Sequence, residues 1–350
     1  MIGTGPFRLV DWRPGDRQIL ERFEEYTWGP ADIYDNTGPA QFARIEYRTI
    51  PEETTQIEEM LAGGYELHQR LPFSAVDRLA MSDIVDYHVA TPAAVEYINF
   101  RCDRPPFDEV ALRRAFAHGV NKEEIVAVAT EGICEVAHSW LREGVFGWTS
   151  EMAQYSPEYD PDKAAQILDE AGWDTFDNDG IRMRNGERLE FTYSVFDTEL
   201  RLTAAELIQA QLREIGMDLR INSMETAAMF EHIRAGEHSV FPIGGGMQPA
   251  GADQLRRRHH PDFLPNPNYY YYSNDRLTEL LEFQFVTPDQ DARLEAILEI
   301  EKILMQDAVW IPIYYINRIR ASNHRIVNPG MDHPTFDGHY KLLDTKLRAE

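Results

Sequence analysis

Apolar and polar positions in the first hundred residues follow mostly the short period of extended chain. Phe7–Trp12 and Gln18–Glu24 read as strands on either side of Arg13-Pro14-Gly15-Asp16, a turn in which Pro presets φ and Gly accepts a positive one. Across Phe42–Ile50, Ala43, Ile45, Tyr47 and Thr49 alternate with Phe42, Arg44, Glu46 and Arg48, which predicts a strand with one apolar face. Pro51 then opens a helix through Ile57, Met60 and Leu61 that Gly63-Gly64 stops, and Tyr65–Leu71 returns as a strand. The expected unit is β-β-β-α-β.

Beyond Tyr97-Ile98-Asn99-Phe100, a short apolar strand, the pattern turns helical. Asp108 is placed to cap a helix through Val110, Leu112, Ala115 and Phe116, and Asn121 to cap another through Ile125 and Val128. Asp160-Pro161 opens Lys163–Gly172, with Pro at the first helical position and Gly at the end. Asn185-Gly186 signals a hairpin into Leu189–Val195. Leu200–Ile215 is an amphipathic helix closed by Gly216 and followed by the strand Met217–Ser223. Asp289–Gln306 is helical, and Trp310–Ile316 is an almost unbroken apolar strand of the kind covered on both faces. Strands alternating with helices of this length predict an α/β layered body.

A chain of 350 residues exceeds one ordinary core, so two domains are expected. With 34 Lys+Arg against 59 Asp+Glu the formal charge is −25, which repels phosphate backbones and anionic membranes and speaks against nucleic acid as a partner. Cys102 and Cys134 form neither a disulfide framework nor a CxxC pair and read as free thiols. No stretch approaches the roughly 18 apolar residues of a membrane span. Met1–Phe7 lacks the basic and apolar regions of a signal peptide and runs at once into a strand, as though the chain had been cut into.

Motifs for catalysis are missing. Gly3-Thr4-Gly5 has no Lys-Ser/Thr after it, Gly244-Gly245-Gly246 is followed by Pro249 where a dinucleotide loop needs Gly, and Ser150 lacks the glycines of a nucleophile elbow. There is no HExxH, and the adjacent His259-His260 cannot share a metal by the i, i+4 route, so they read as solvated or capping side chains. No enzyme activity, no cofactor and no metal site are expected. That favours a binding protein, since binding needs shape more than motif.

Several stretches carry a resemblance. They are Gly3-Thr4-Gly5-Pro6-Phe7 with Trp12-Arg13-Pro14-Gly15-Asp16; Leu20-Glu21-Arg22 before Tyr26-Thr27-Trp28-Gly29; Tyr97–Phe100 with Pro105-Pro106-Phe107-Asp108 and Leu112-Arg113-Arg114-Ala115. Further on come Tyr159–Ala164 through Glu170–Trp173, Ala205-Glu206 with Ile208-Gln209, and Ile215-Gly216-Met217. Tyr272-Ser273-Asn274 with Leu280-Leu281, and Trp310–Tyr315, complete the series. In this order the chain resembles the extracellular solute-binding proteins, family 5, of ABC importers for oligopeptides, dipeptides, nickel chelates and some sugars.

The resemblance implies an α/β, two-lobed periplasmic-binding-protein-like (type II) fold that lacks the family's opening third, export signal included. It implies lobe I over 1–97 plus 316–350, lobe II over 98–315, and hinges through Tyr97–Phe100 and Tyr314–Asn317. It further implies a non-catalytic receptor at the periplasmic or cell surface. Such a receptor captures a peptide or other small-molecule solute between its lobes and presents it to the permease subunits in the membrane. The alternative is a non-transporting fragment or remnant with an interaction role only; a hydrolase stands third.

For the ligand, the resemblance points to Phe241–Leu255. Relatives there have a strand that ends in an Asp for a peptide's ammonium, and the matching position is Gln248, which can hydrogen-bond but cannot neutralise. Period 2 puts Gly244, Gly246 and Gln248 on one face, where glycines bare the backbone for strand addition, although a plain loop fits equally. Asp253 is a substitute carboxylate or a helix cap. Tyr315 matches a tyrosine that lines the cleft in relatives, and sheet core is the competing reading. Tyr269–Tyr272 suggest a stacking platform, with core packing favoured for Tyr272. Arg256-Arg257-Arg258 could attract a carboxylate, but a solvated helix face is the plainer reading.

Overall fold

The computed structural model describes residues 3–32, 34–246, 252–327 and 342–348. The chain divides into two compact units, residues 1–92 with 317–350 and residues 93–316.

In the first unit Phe7–Arg13, Arg17–Arg22 and Arg44–Arg48 form an antiparallel sheet in chain order, with the expected turn between the first two. The apolar face predicted for the third strand is thin: Ile45 is half-buried and Tyr47 is exposed. The helix Glu53–Leu61 packs Ile57 and Met60 inward, and Arg48 ties the strand to it through Glu59 (2.8 Å). Leu67–Leu71 enters a second sheet, where it and Val85–Ala90 flank the wholly buried strand Arg318–Asn323. Ile326–Val327 pairs with Lys346–Leu347.

The second unit is built on a six-stranded sheet. Its order is Asp218–Met224, Glu190–Phe196, Val240–Gly246, Ala94–Phe100, Trp310–Tyr315 and Glu135–Val136. The first three strands are parallel, and each later neighbour is antiparallel. Ala94–Phe100 and Trp310–Tyr315 are buried at every residue, as the unbroken apolar run of the second predicts. Side chains of the 94–100 strand alternate between two aromatic clusters. Tyr97 meets Trp140 and Trp310 on one face (centroids 4.6 and 5.7 Å), and Phe100 meets Phe107 and Phe116 on the other (4.6 and 5.1 Å), with Phe191 against Phe107 at 4.8 Å.

Local signals set the helices around this sheet. The Asn121 side chain accepts from Glu124 N (3.1 Å) and the Asp160 side chain from Lys163 N (2.9 Å), satisfying amides that a helix start leaves unpaired. The sequence misplaces one cap. Helix Val110–Gly119 starts from Glu109 without a side-chain cap, and Asp108 stands one residue too early to reach its amides. Asn185 and Gly186 both adopt positive φ (55° and 85°), the turn that suits the twist of the Arg182–Arg184/Glu187–Arg188 hairpin, but the expected second arm differs: Glu190–Phe196 leaves this hairpin for the six-stranded sheet. Cys102 and Cys134 are free, and burial pushes the Cys102 thiol up to about 12.

The Phe100–Phe107–Phe116–Phe191 cluster binds helix to sheet, so Phe116→Ala is expected to cost about 3–5 kcal/mol in urea unfolding. The exposed Phe283→Ala is expected to stay within about 0.5 kcal/mol in the same assay.

Candidate functional site

The predicted glycines lie at the end of the Val240–Gly246 strand. One edge of that end is laddered to the 94–100 strand, Gly244 opposite Glu96, Gly245 opposite Val95 and Gly246 opposite Ala94. On the other edge, the register with Glu190–Phe196 consists of the single pair Tyr193↔Val240. Among the described residues the backbone edge from Phe241 to Gly246 therefore has no strand partner on that side, the form of edge to which an extended chain can add.

Gly244 is where the strand touches charge. Glu96 is the one charged residue of its buried strand, 5% exposed, and is held bidentately by Arg201 (Nε–Oε1 2.7 Å, Nη2–Oε2 3.0 Å) from the helix Glu199–Glu214. Arg201 also stacks over Phe196 at 4.6 Å. Burial works against its charged form, but Glu96 outweighs burial and raises the guanidinium pKa above its ordinary value. The fork geometry supplies hydrogen bonds and charge together, which a buried carboxylate requires. A Cβ built on Gly244 would stand 2.5 Å from Glu96 Oε2 and 2.9 Å from Ile316 Cδ1. Gly245 faces the opposite side, where an added Cβ would lie 3.3 Å from Tyr97 Cε1 and 3.4 Å from Trp140 Cη2.

The other expected residues are distributed around this strand. Gln248 lies outside the described residues. Asp253 opens the helix Asp253–His259, with Ala252 as its N-cap, and its carboxylate is ion-paired with Arg293 of the helix Gln290–Gln306. Tyr315 is buried, and its hydroxyl meets Leu141 O (3.0 Å) and Ser139 Oγ (3.2 Å), so its ring is fixed from both sides of the loop that carries Trp140. Tyr269 and Tyr270 are buried rather than a platform, and the Tyr272 hydroxyl bonds Asp307.

The histidine pair needs correction. His260 caps the following turn, its Nδ1 accepting from Asp262 N (3.2 Å), but His259 is neither solvated nor capping. It is buried against Tyr270 at 4.5 Å, and burial holds its pKa down to about 3. The arginine run likewise splits. Arg256 is bonded to Glu282 (2.9 Å), Arg257 is exposed, and Arg258 is half-buried beside Tyr97, Tyr269 and Tyr270.

Sequence reasoning missed Glu96, Arg201 and Glu301. The Glu301 carboxyl is fully buried, its Oε2 accepting from Trp140 N (3.4 Å) and its Oε1 unpartnered, and burial raises its pKa to about 8. Among the described residues no cluster of three or more His, Cys, Asp or Glu side chains could hold a metal ion. None of their helices is long and apolar enough to cross a membrane.

The fold is that of solved periplasmic binding proteins. The structure superposes on the oligopeptide-binding protein AppA from Bacillus subtilis, solved with a nonapeptide, with a TM-score of 0.84 at 20% identity, covering 99% of this chain and 66% of that one. It matches NikA from Brucella suis, solved with Fe(III)-EDTA, with a TM-score of 0.80 at 20% identity over 99% of this chain and 68% of that one. The description Bacterial extracellular solute-binding proteins, family 5 Middle, matches residues 1–259, and the chain belongs to that family. Among curated relatives, the nickel-binding periplasmic protein of Escherichia coli (strain K12) is 26% identical over 336 residues, 93% of this chain and 62% of its own length. The oligopeptide-binding protein AppA of Bacillus subtilis (strain 168) is 24% identical over 91% of this chain and 58% of its own length. The chain thus spans about three fifths of the curated relatives it matches.

Two outcomes follow from this geometry. Gly244→Ala must displace Glu96 or the strand and is expected to cost roughly 1–3 kcal/mol, clearly more than Gly245→Ala, by urea unfolding. For Glu301 the folded pKa is raised, so the folded state holds a proton that the unfolded chain has released. Its contribution to stability therefore falls as pH rises from about 4.5 towards about 8 and is flat above. Glu301→Gln is expected to be increasingly more stable than the parent over that interval in pH-dependent denaturation, with the gap level beyond it.

Proposed function

We propose that the chain is the substrate-binding part of an ABC importer, capturing an oligopeptide, dipeptide or other small polar solute and delivering it to a membrane permease. Family membership supports the class. The observation that carries the ligand reading is the Gly244–Gly246 strand end, whose backbone is laddered on one edge and free of a strand partner on the other among the described residues. An extended ligand adding there gains main-chain hydrogen bonds without needing a particular side chain. Gly244, Gly246, Gln248, Asp253 and Tyr315 are the proposed ligand-binding residues. The pairing of Asp253 with Arg293 means that Asp253 meets a ligand only by sharing that guanidinium.

Relatives named for binding nickel, oligopeptides and glutathione support a binding role. A receptor without catalysis, at the periplasmic or cell surface, is the matching proposal. The lobe assignment, 1–97 plus 316–350 and 98–315, belongs to the same reading. A second reading, an interaction role without transport, draws on the exposed Val10, Trp12 and Trp28 of the first unit (51%, 58% and 59%), since exposed apolar side chains favour association.

Isothermal titration with dipeptides, tripeptides, glutathione, sugars and a nickel–histidine chelate tests the proposal. One class is expected to bind saturably below millimolar concentration and to raise the melting temperature. Silence across the panel at millimolar ligand, with concentration-dependent self-association in ultracentrifugation, favours the second reading instead.

A further inference from the structure

Arg258, half-buried and set against the aromatic core, has no acid partner among the described residues. Three fully buried arginines are, by contrast, well supplied with acceptors. Arg113 donates to the carbonyls of Phe107 and Asp307, Arg182 to those of Trp173 and Ile215 as well as to Asp169, and Arg101 to Asp103 and Gly236. Arg258 has none of this. Among the described residues its neighbours are the phenols of Tyr97, Tyr269 and Tyr270, and no carboxylate pairs with it.

The surrounding aromatic cluster repeats the same imbalance. The hydroxyls of Tyr97 and Tyr270 and the indole N–H groups of Trp140 and Trp310 are buried with no hydrogen-bond partner. The hydroxyls of Tyr97 and Tyr270 are neighbours of one another and bond no other group. Each of these residues is at most 1% exposed. All four groups can donate, and the indoles can do nothing else. Trp140 and Trp310 pack at 5.5 Å from one another and both meet Tyr97, so donors and cation belong to one neighbourhood. Gly245 is the strand residue facing it, and a Cβ there would lie 3.5 Å from the Tyr97 hydroxyl oxygen. Buried donors without acceptors are uncommon in folded proteins, and a cation withdrawn from water without a counter-charge is costly.

We propose that Arg258, with the hydroxyls of Tyr97 and Tyr270, is an anion subsite beside Gly245 that holds a carboxylate of the transported solute. This rests on the reading of the Gly244–Gly246 strand as the ligand's docking edge, and it narrows the solute class to molecules bearing an acidic group. Among the described residues the unpartnered buried acceptors Asn99 Oδ1 and Glu301 Oε1 form no hydrogen bond with these donors. A guanidinium offers a carboxylate two parallel N–H donors, and the phenols add a third and fourth.

The test uses the intact chain, Arg258→Met and Tyr97→Phe, with succinate as the anionic probe and succinamide as its uncharged counterpart. Without ligand, Arg258→Met is expected to unfold in urea no more easily than the parent, because an unanswered cation has been removed. Easier unfolding would mean a structural arginine and overturn the proposal. Succinate is expected to raise the parent's melting temperature saturably and to perturb tryptophan fluorescence, with affinity at least tenfold weaker in Arg258→Met and weaker in Tyr97→Phe. Absence of a succinate response in the parent, or an equal response to succinamide, overturns the proposal. A silent solute panel with the succinate response intact supports the subsite while counting against transport. A solute that binds equally well to Arg258→Met leaves transport standing and refutes the subsite.

Discussion

The second unit depends on how one acid is made tolerable in the middle of a sheet. Glu96 lies on a strand buried at every position, with Gly244 opposite it on one neighbour and Tyr314 on the other. A carboxylate withdrawn from water in this way is stable only with a charge and hydrogen bonds to answer it, and Arg201 provides both at 2.7 and 3.0 Å. The space this pair occupies is the space a side chain at 244 would need. The bare backbone of the candidate ligand strand and the buried ion pair are two aspects of a single packing solution.

How far the sequence could reveal this depends on the range of the forces involved. Caps and turns act within a few residues, so Asn121, Asp160-Pro161 and Asn185-Gly186 announce their elements, and the apolar run at Trp310–Tyr315 announces a covered strand. Asp108 fails because a cap must stand immediately before the first turn, and propensity alone does not fix that position to a single residue. Glu96 was illegible for a stronger reason. Its partner is 105 residues away, and an isolated acid in an apolar stretch looks like the end of a strand, which is why the run reads as starting only at Tyr97.

The arginine run and the histidine pair show the same limit on a smaller scale. On a helix each step turns the side chain by about 100°, so three consecutive arginines must face three ways. Composition reads them as one basic patch, whereas the structure gives Arg256 an acid, Arg257 solvent and Arg258 the phenols. His259 and His260 divide similarly, one neutral within the core and one closing a turn. Of the candidate residues, the glycine strand could be read in advance because glycine itself is the signal. The charged residues around it required the fold.

The steric economy between positions 96 and 244 also constrains how this strand can diverge. Two neighbouring backbones share one allotment of volume, and here the acid has taken all of it. A descendant sequence that gains a side chain at 244 must shift the strand or move or shrink the residue at 96, and where the acid is lost Arg201 is left as a free guanidinium on the same face. Drift at the single glycine would therefore convert a neutral wall into a basic one through a coordinated exchange of two residues, 244 and 96, changing the charge on this face without altering the sheet that presents it.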